Sequence, residues 1–186
     1  MLPITVPEAE LWNETTEEFV YIPETTLHLE HSLLSIAKWE EKYHKPYLVK
    51  ENKTPDEFLD YIRMMTINKN INPNIYYGLT EDNLREIQTY MEDSHTATWF
   101  REDETDDKKG QKSRIITTEL VYCWMIQLNM PMDPFQKWHI NRLITLIRTC
   151  QEEQKAQNPD GKNKIDMSRR RALMEKRRAK SRAKKH

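Results

Sequence analysis

Glycine is scarce in this chain of 186 residues, which has 3 glycines against 9 methionines and 5 tryptophans. Phosphate-binding loops and nucleophile elbows depend on glycine, because only glycine lets the backbone turn so sharply or approach a ligand so closely. The chain has no Gly-rich phosphate loop, no GxSxG sequence and no paired-carboxylate motif. The sequence therefore gives no positive support to an enzyme or to a cofactor site, and it predicts a helix-rich protein.

Cysteines and long apolar runs are also rare. The two cysteines, Cys123 and Cys150, fall in apolar helical patterns, which favours buried, reduced thiols; a disulfide between them stays open for an oxidising compartment. No apolar run approaches the ~20 residues of a membrane-spanning helix, and the first residues lack the basic-then-apolar pattern of a signal peptide. We expect a soluble protein that is not exported by a signal peptide.

Charge is distributed unevenly along the chain. Residues 1–159 hold 17 Lys and Arg against 27 Asp and Glu, whereas residues 160–186 hold 12 against 3. The second segment therefore predicts a basic tail over residues 158–186, which begins at the helix-breaking sequence Asn158–Gly161. Its candidate partner-binding residues are Arg169, Arg170, Arg171, Arg177 and Arg178.

The basic tail is either a solvated segment or a binding segment, which then has two candidate partners, and a solvated tail or a protein contact is favoured over nucleic acid. It can bind an acidic protein surface, including residues 1–159 of another copy, or it can bind nucleic acid through counterion release. Because Ser168–Lys185 contains no aromatic residue for stacking on bases, specific single-strand binding is disfavoured.

The strongest apolar pattern lies near the end of the folded part. Ile115–Met130 is apolar on nearly every side, as a buried helix is, and Pro131 ends it. Asp133 as N-cap, with Pro134 at the first helical position, predicts a second helix over residues 133–157. The two helices predict an antiparallel helical hairpin at the centre of the fold. The predicted structural core residues are Leu33, Ile36, Leu120, Trp124, Trp138, Leu143 and Ile147.

The segments before this hairpin complete the predicted fold, which is mainly α. Residues 2–29 alternate apolar and polar side chains, which predicts a β-hairpin or small meander kept at a sheet edge by its prolines. Residues 1–26 would form a β arm, packed on its own domain or paired with a partner. Residues 27–157 would form a compact domain of about five helices, with helix starts at Thr54 and Thr80. Its segment 102–113 would be a mobile loop.

The histidines are the remaining candidates for chemistry. His28 and His31 flank Glu30 at metal-ligand spacing, but no third ligand is visible, so no metal site is predicted. His139 lies in the apolar hairpin, where it needs a hydrogen-bond partner. A structural polar network, with Glu119 or with backbone carbonyls across the hairpin, is favoured over a catalytic role.

Five segments resemble a small protein from the tail-morphogenesis region of long-tailed bacteriophages. They are His28–Leu48, Leu59–Thr80, Thr96–Phe100 (TATWF), Ile115–Pro131 and Lys137–Cys150 (KWHINRLITLIRTC). Proteins of this kind resemble tail assembly chaperones, helical non-enzymatic proteins that coat the tape-measure protein until tail-tube subunits replace them. The resemblance implies a homo-oligomeric chaperone in the host cytoplasm that binds the tape-measure protein or other tail proteins.

Two other functions stay open. The protein would be a structural virion component at the head–tail junction or tail end, or it would bind nucleic acid through its tail. A chaperone of a long amphipathic helix needs apolar surface and many copies of modest affinity, and methionines adapt to varied sequences. Met64, Met65 and Met91 are therefore candidate partner-binding residues.

Overall fold

The computed structural model describes residues 1–13, 17–49, 53–98, 100 and 115–157. Four strands come first, β1 (Leu2–Val6), β2 (Ala9–Asn13), β3 (Glu18–Ile22) and β4 (Thr25–Leu29). They are followed by α1 (Leu33–Tyr43), α2 (Pro55–Met65), a 3-10 helix (Pro73–Gly78), α3 (Glu81–Glu92), α4 (Thr118–Gln127), α5 (Met132–Phe135) and α6 (Ile140–Gln157). Of the described residues, 53% are helical and 16% lie in strands. The mainly α prediction is therefore wrong, because the protein is mixed α/β.

The chain forms two compact units, residues 1–147 and residues 148–186. The strands, the helices from α1 to α5 and the part of α6 up to Ile147 belong to the first unit. In the second unit the structure describes only residues 148–157, the last turns of α6. The segment 102–113, predicted to be a mobile loop, and the basic tail 158–186 lie outside the described residues.

The four strands form a long antiparallel hairpin in two parts, β1 paired with β4 and β2 paired with β3. Both parts keep the same register, since Val6 lies opposite Thr25 and Ala9 lies opposite Ile22. The ladder is interrupted between these pairs, where Pro7 and Pro23 lack the N–H groups that a ladder needs. The β-hairpin predicted over residues 2–29 is thus present, and it is divided into two parts at its prolines.

The interruption also changes which residues face the core. In an uninterrupted strand, residues an even number apart share a face. Val6 is buried and Ala9, three residues later, also faces inward. On the opposite strand Ile22 and Leu27, five residues apart, are both completely buried. The break at the prolines therefore resets the alternation, so that both parts of the hairpin turn an apolar face to the rest of the unit.

Polar contacts cover both edges of the β1–β4 part. Along β4, the Ile67 N–H donates to the His28 carbonyl at 2.8 Å. The His28 N–H in turn donates to the Asn68 side-chain oxygen at 2.6 Å. Along β1, the Asn83 side-chain amide donates to the Thr5 carbonyl at 3.3 Å. These bonds satisfy strand groups that would otherwise be open for pairing with another chain.

The buried core is centred earlier in the chain than predicted. Of the buried hydrophobic side chains among the described residues, fifteen come from residues 4–87 and five from residues 121–147. Leu33, Ile36, Leu143 and Ile147 are buried, whereas Leu120, Trp124 and Trp138 are only partly buried. The predicted helical hairpin contributes one side of the core and is not its centre.

The helices of the predicted hairpin are also shorter than expected. Asp133 has a non-helical backbone inside the single turn α5, and α6 begins seven residues later at Ile140. Between them the backbone bonds to another segment, because Leu34 N–H donates to the Gln136 carbonyl and Ile140 N–H donates to the His31 carbonyl. Backbone groups used in these bonds cannot continue a helix.

The predicted helix starts at Thr54 and Thr80 are confirmed. The Thr54 hydroxyl accepts from the Glu57 N–H, and the Glu57 carboxylate accepts from the Thr54 N–H. Thr80 and Asn83 form the same reciprocal pair at the start of α3. Local hydrogen bonding between near neighbours is enough to define these starts, whatever packs around them.

Two neighbouring substitutions test whether the hairpin is part of the folded unit in solution. We expect Ile22→Ala to lower the free energy of unfolding by about 2–5 kcal/mol, because it leaves a cavity at a completely buried position. Tyr21→Ala, at an exposed position on the same strand, serves as control and should change it by less than about 1 kcal/mol. Urea unfolding followed by circular dichroism measures both. Equal, small effects would show that the hairpin does not pack on the helices.

Candidate protein-binding site

The β2–β3 part of the hairpin carries a cluster of exposed aromatic side chains, Trp12, Phe19 and Tyr21, which we call the aromatic face. Their side chains are 53%, 67% and 58% exposed. Trp12 and Phe19 lie directly opposite each other on the two strands, with ring centroids 5.0 Å apart in an edge-to-face arrangement. Exposed large hydrophobic groups clustered in this way are typical of protein-interaction sites.

The other side of the same strands explains why these rings point outward. Leu11 and Val20 are paired across the strands and partly buried, and Ile22 is completely buried. The Ile22 side chain packs beside Gly78 at the end of the 3-10 helix, where an added Cβ would lie 3.7 Å from it. Since successive side chains of a strand alternate, burial of this side exposes Trp12, Phe19 and Tyr21.

The surroundings of the aromatic face are acidic. Residues 1–37 contain no Lys or Arg, although seven glutamates occur there. Five of these glutamates are exposed in the described part of the hairpin, namely Glu8, Glu10, Glu17, Glu18 and Glu24, and we call them the acidic rim. Glu10 lies opposite Tyr21 in the ladder, and Glu8 accepts a hydrogen bond of 3.1 Å from the Tyr21 hydroxyl. That bond and the negative charge of Glu8 raise the pKa of Tyr21.

The residues predicted to bind partners lie elsewhere. Met65 is only 1% exposed, so it is a core residue and is unavailable to a partner in this structure. Met64 and Met91 are partly buried and pack against the core. Arg169, Arg170, Arg171, Arg177 and Arg178 lie outside the described residues. Sequence reasoning recognised the hairpin but missed its aromatic face; the signal was the placement of Trp12 and Phe19 at equal distances from the turn.

A second group of polar side chains surrounds His139 in the interior. The His139 and His95 rings are 4.1 Å apart between centroids, and His31 lies 5.1 Å from His139. The Nε2–H groups of His139 and His95 both donate to the Tyr90 carbonyl, at 3.1 and 3.2 Å. The Tyr90 hydroxyl in turn donates to Glu30 at 2.7 Å. His139 thus bonds to a backbone carbonyl of α3, whereas the alternative partner Glu119 is exposed.

The histidines are not arranged to bind a metal ion. His28 belongs to β4, and the Nδ1 atom of His31, two residues beyond the strand, lies 2.5 Å from the Tyr61 hydroxyl. The Nε2–H groups of His95 and His139 both donate to the Tyr90 carbonyl, so they are not available to a metal ion. Over the ranges that the structure describes, no three His, Cys, Asp or Glu side chains are grouped to hold a metal ion.

The cysteines differ from the prediction. Cys123 is exposed on α4, where the Gln127 side-chain amide lies 3.7 Å from its sulfur, and Cys150 is partly buried on α6. Both are free thiols. The expected burial of Cys123 was wrong, because α4 is apolar on all sides while only the side with Val121 and Met125 is buried.

An open groove of about 680 Å³ lies beside α1 and the start of α4. Its lining includes Glu40, whose buried carboxylate accepts from the backbone N–H groups of Tyr47 at 2.8 Å and Thr118 at 2.9 Å. The N-cap residue of α4, Thr117, makes no side-chain capping bond. Glu40 therefore supplies this cap from a different helix, where a carboxylate is also favoured by the helix dipole.

No known protein family matches this chain, and no curated protein or solved structure matches it significantly. In the part of the chain that the structure covers, no helix is both long enough and apolar enough to cross a membrane.

The histidine cluster predicts a loss of stability in mild acid. The pKa of His139 is lowered from 6.5 to about 4 and that of His31 to about 3, mainly because both rings are buried. Coulombic interactions with His139, His95 and Lys53 lower the pKa of His31 further. Those with His95 and the Met1 amino group lower the pKa of His139, whereas Glu30 opposes that shift. As pH falls below about 6.5, the unfolded chain binds protons that the folded protein excludes, so the free energy of unfolding decreases.

We expect a slope approaching about 1.4 kcal/mol per pH unit for each buried histidine between pH 6.5 and 4. His139→Gln, whose amide can still donate to Tyr90, should flatten this slope, whereas His44→Asn at an exposed position should leave it unchanged. Urea unfolding at several pH values measures it. A pH-independent stability over this range would contradict the buried, neutral state of both rings.

The Glu40 contacts predict a second stability effect. Glu40→Ala should lower the free energy of unfolding by about 2–4 kcal/mol, because two buried backbone N–H groups lose their acceptor. Glu41→Ala, at the exposed neighbouring position on α1, is the matched control and should change it by less than about 0.5 kcal/mol. Chemical denaturation of both variants tests this. Comparable values for the two would show that water replaces the carboxylate.

Proposed function

We propose that this protein is a non-enzymatic phage tail assembly chaperone, which binds the tape-measure protein and other copies of itself in the host cytoplasm. The observation that carries the protein-binding part of this proposal is the aromatic face. The tape measure as partner is supported by the sequence resemblance to tail-morphogenesis proteins.

The aromatic face has the properties of a protein-binding site. Tyr, Trp and Phe are enriched in interfaces, because each buries a large area and loses little conformational freedom on binding. The Trp12 and Phe19 rings already pack against each other in the free chain, with centroids 5.0 Å apart. This lowers the conformational entropy that the two side chains lose on binding. The hairpin beneath them is attached to the core through Ile22, so the face is presented on an element that packs on the rest of the unit.

The surface also suits an amphipathic helix as its partner. The apolar stripe of such a helix can lie against the three rings, and its flanking Lys or Arg residues can pair with the acidic rim. A contact made by three rings and a few carboxylates has modest affinity. Many copies bound along one tape-measure molecule would compensate for this. A chaperone that must later be displaced by tube subunits requires this combination.

If the protein is instead a structural virion component, the aromatic face would make a permanent contact with neighbouring subunits. Peptide mass spectrometry of purified virions separates the two functions. A chaperone is absent from mature particles or present in traces, whereas a structural component is present in many copies.

Co-expression with the tape-measure protein from the same phage tests the proposal. We expect the wild-type chain to raise the soluble fraction of the tape-measure protein several-fold, because it covers apolar helix surface. Trp12→Thr/Phe19→Thr should lose most of this effect. Ile126→Thr, which removes an equally exposed hydrophobic side chain from α4, is the matched control and should retain it. An unchanged solubility with the wild-type chain would refute the proposal.

A further inference from the structure

The hairpin and the basic tail have complementary compositions. The first 37 residues contain seven glutamates and no Lys or Arg, and residues 160–186 contain 12 Lys and Arg against 3 acidic residues. No oppositely charged side chain within the described residues pairs with Glu10, Glu17, Glu18 or Glu24. The acidic rim therefore keeps its negative potential in the folded unit.

The aromatic face adds a feature that a simple acidic patch lacks. Arginine guanidinium groups stack on aromatic rings and also pair with carboxylates in a bidentate manner. On this hairpin the two kinds of group are neighbours, since Glu10 lies opposite Tyr21 and Glu8 accepts a hydrogen bond from the Tyr21 hydroxyl. The basic tail is rich in arginine, and it contains the runs Arg169–Arg171 and Arg177–Arg178.

We propose that the aromatic face and acidic rim bind the basic segment Ser168–Lys185 of a second copy of this chain. This inference rests on the proposed function, because it names the partner for the self-association part of it. It assigns a role to the arginine runs, which the tape-measure contact does not use.

The geometry of this contact sets the form of the oligomer. Each copy offers one face and one basic segment, which are different surfaces, so the contact is head-to-tail. Head-to-tail contacts produce closed rings or open chains. A dimer is the final assembly only when each of its two copies binds the segment of the other. Because the same face is proposed to bind the tape measure, one face holds either a basic segment or a tape-measure helix at a time. The basic segment therefore occupies the faces that are free of tape measure. Because the contact is largely ionic, we expect it to weaken with salt.

Charge reversal on each side provides a complementation test with the full-length chain. The face-reversed variant is Glu8→Lys/Glu10→Lys, and the tail-reversed variant is Arg170→Glu/Arg177→Glu. Sedimentation velocity at about 0.05 M salt should show the wild type self-associated, and each variant alone should associate at least about tenfold more weakly. An equimolar mixture should recover association as heterodimers, because the unchanged tail of the face-reversed variant then meets the unchanged face of the tail-reversed variant.

The controls separate charge pairing from general effects. Glu81→Lys/Glu86→Lys makes the same charge change at exposed positions on α3 and should associate as the wild type does. Trp12→Thr/Phe19→Thr keeps all charges but removes the rings, and it should also weaken association. Thermal unfolding by circular dichroism checks that every variant is folded.

Three outcomes would overturn the inference. A monomeric wild type at low salt excludes self-association, although tape-measure binding in the co-expression assay can still succeed and would leave the proposed function intact. Self-association that both reversed variants retain places the contact elsewhere. Weakened variants whose mixture does not recover would show that the segment does not bind the face of another copy.

Discussion

The backbone of residues 28–34 is the structural element on which the rest of the first unit depends. Its strand part pairs with β1, and the His28 carbonyl and Glu30 N–H bond to the residues at the end of α2. A few residues later, His31 and Leu34 exchange backbone bonds with the segment that precedes α6. One short stretch thus joins the hairpin, α2 and α6 through main-chain hydrogen bonds, whose donors and acceptors cannot be left unpaired in the interior.

Side chains of the same stretch hold the surrounding polar interior together. Glu30 accepts from the Tyr90 hydroxyl, and His31 pairs with Tyr61, which stacks on Tyr47 at 4.0 Å. His139 shares the Tyr90 carbonyl with His95. Such a network specifies one arrangement of the elements around it, because each buried polar group is satisfied only when its partners are in place. The cluster is therefore a structural feature of the unit and accounts for the buried histidines without assigning them chemistry.

The residues proposed to bind partners differ from those that attach the hairpin to the core. On β2 and β3, burial of Ile22 attaches the hairpin to the core, while Trp12, Phe19 and Tyr21 stay exposed on the opposite side. The acidic rim prevents these rings from forming an entirely apolar patch, which would favour non-specific aggregation. In the proposed function, its charge favours partners that carry Lys or Arg beside an apolar surface.

Local chemistry within the sequence was sufficient for several features. The alternation in residues 2–29 determined the hairpin, and the Thr54–Glu57 and Thr80 capping residues determined the starts of α2 and α3, because these signals depend on contacts between near neighbours. Only the tertiary structure decided the centre of the core, the late start of α6 at Ile140 and the exposure of Cys123. Each of these follows from long-range packing and backbone pairing, and a uniformly apolar segment such as α4 contains no information about which of its sides will be covered. The aromatic face combines local and long-range information. The alternation of its side chains is visible in the sequence, but the proline break and the packing of Ile22 decided that Trp12, Phe19 and Tyr21 are the side chains that face water.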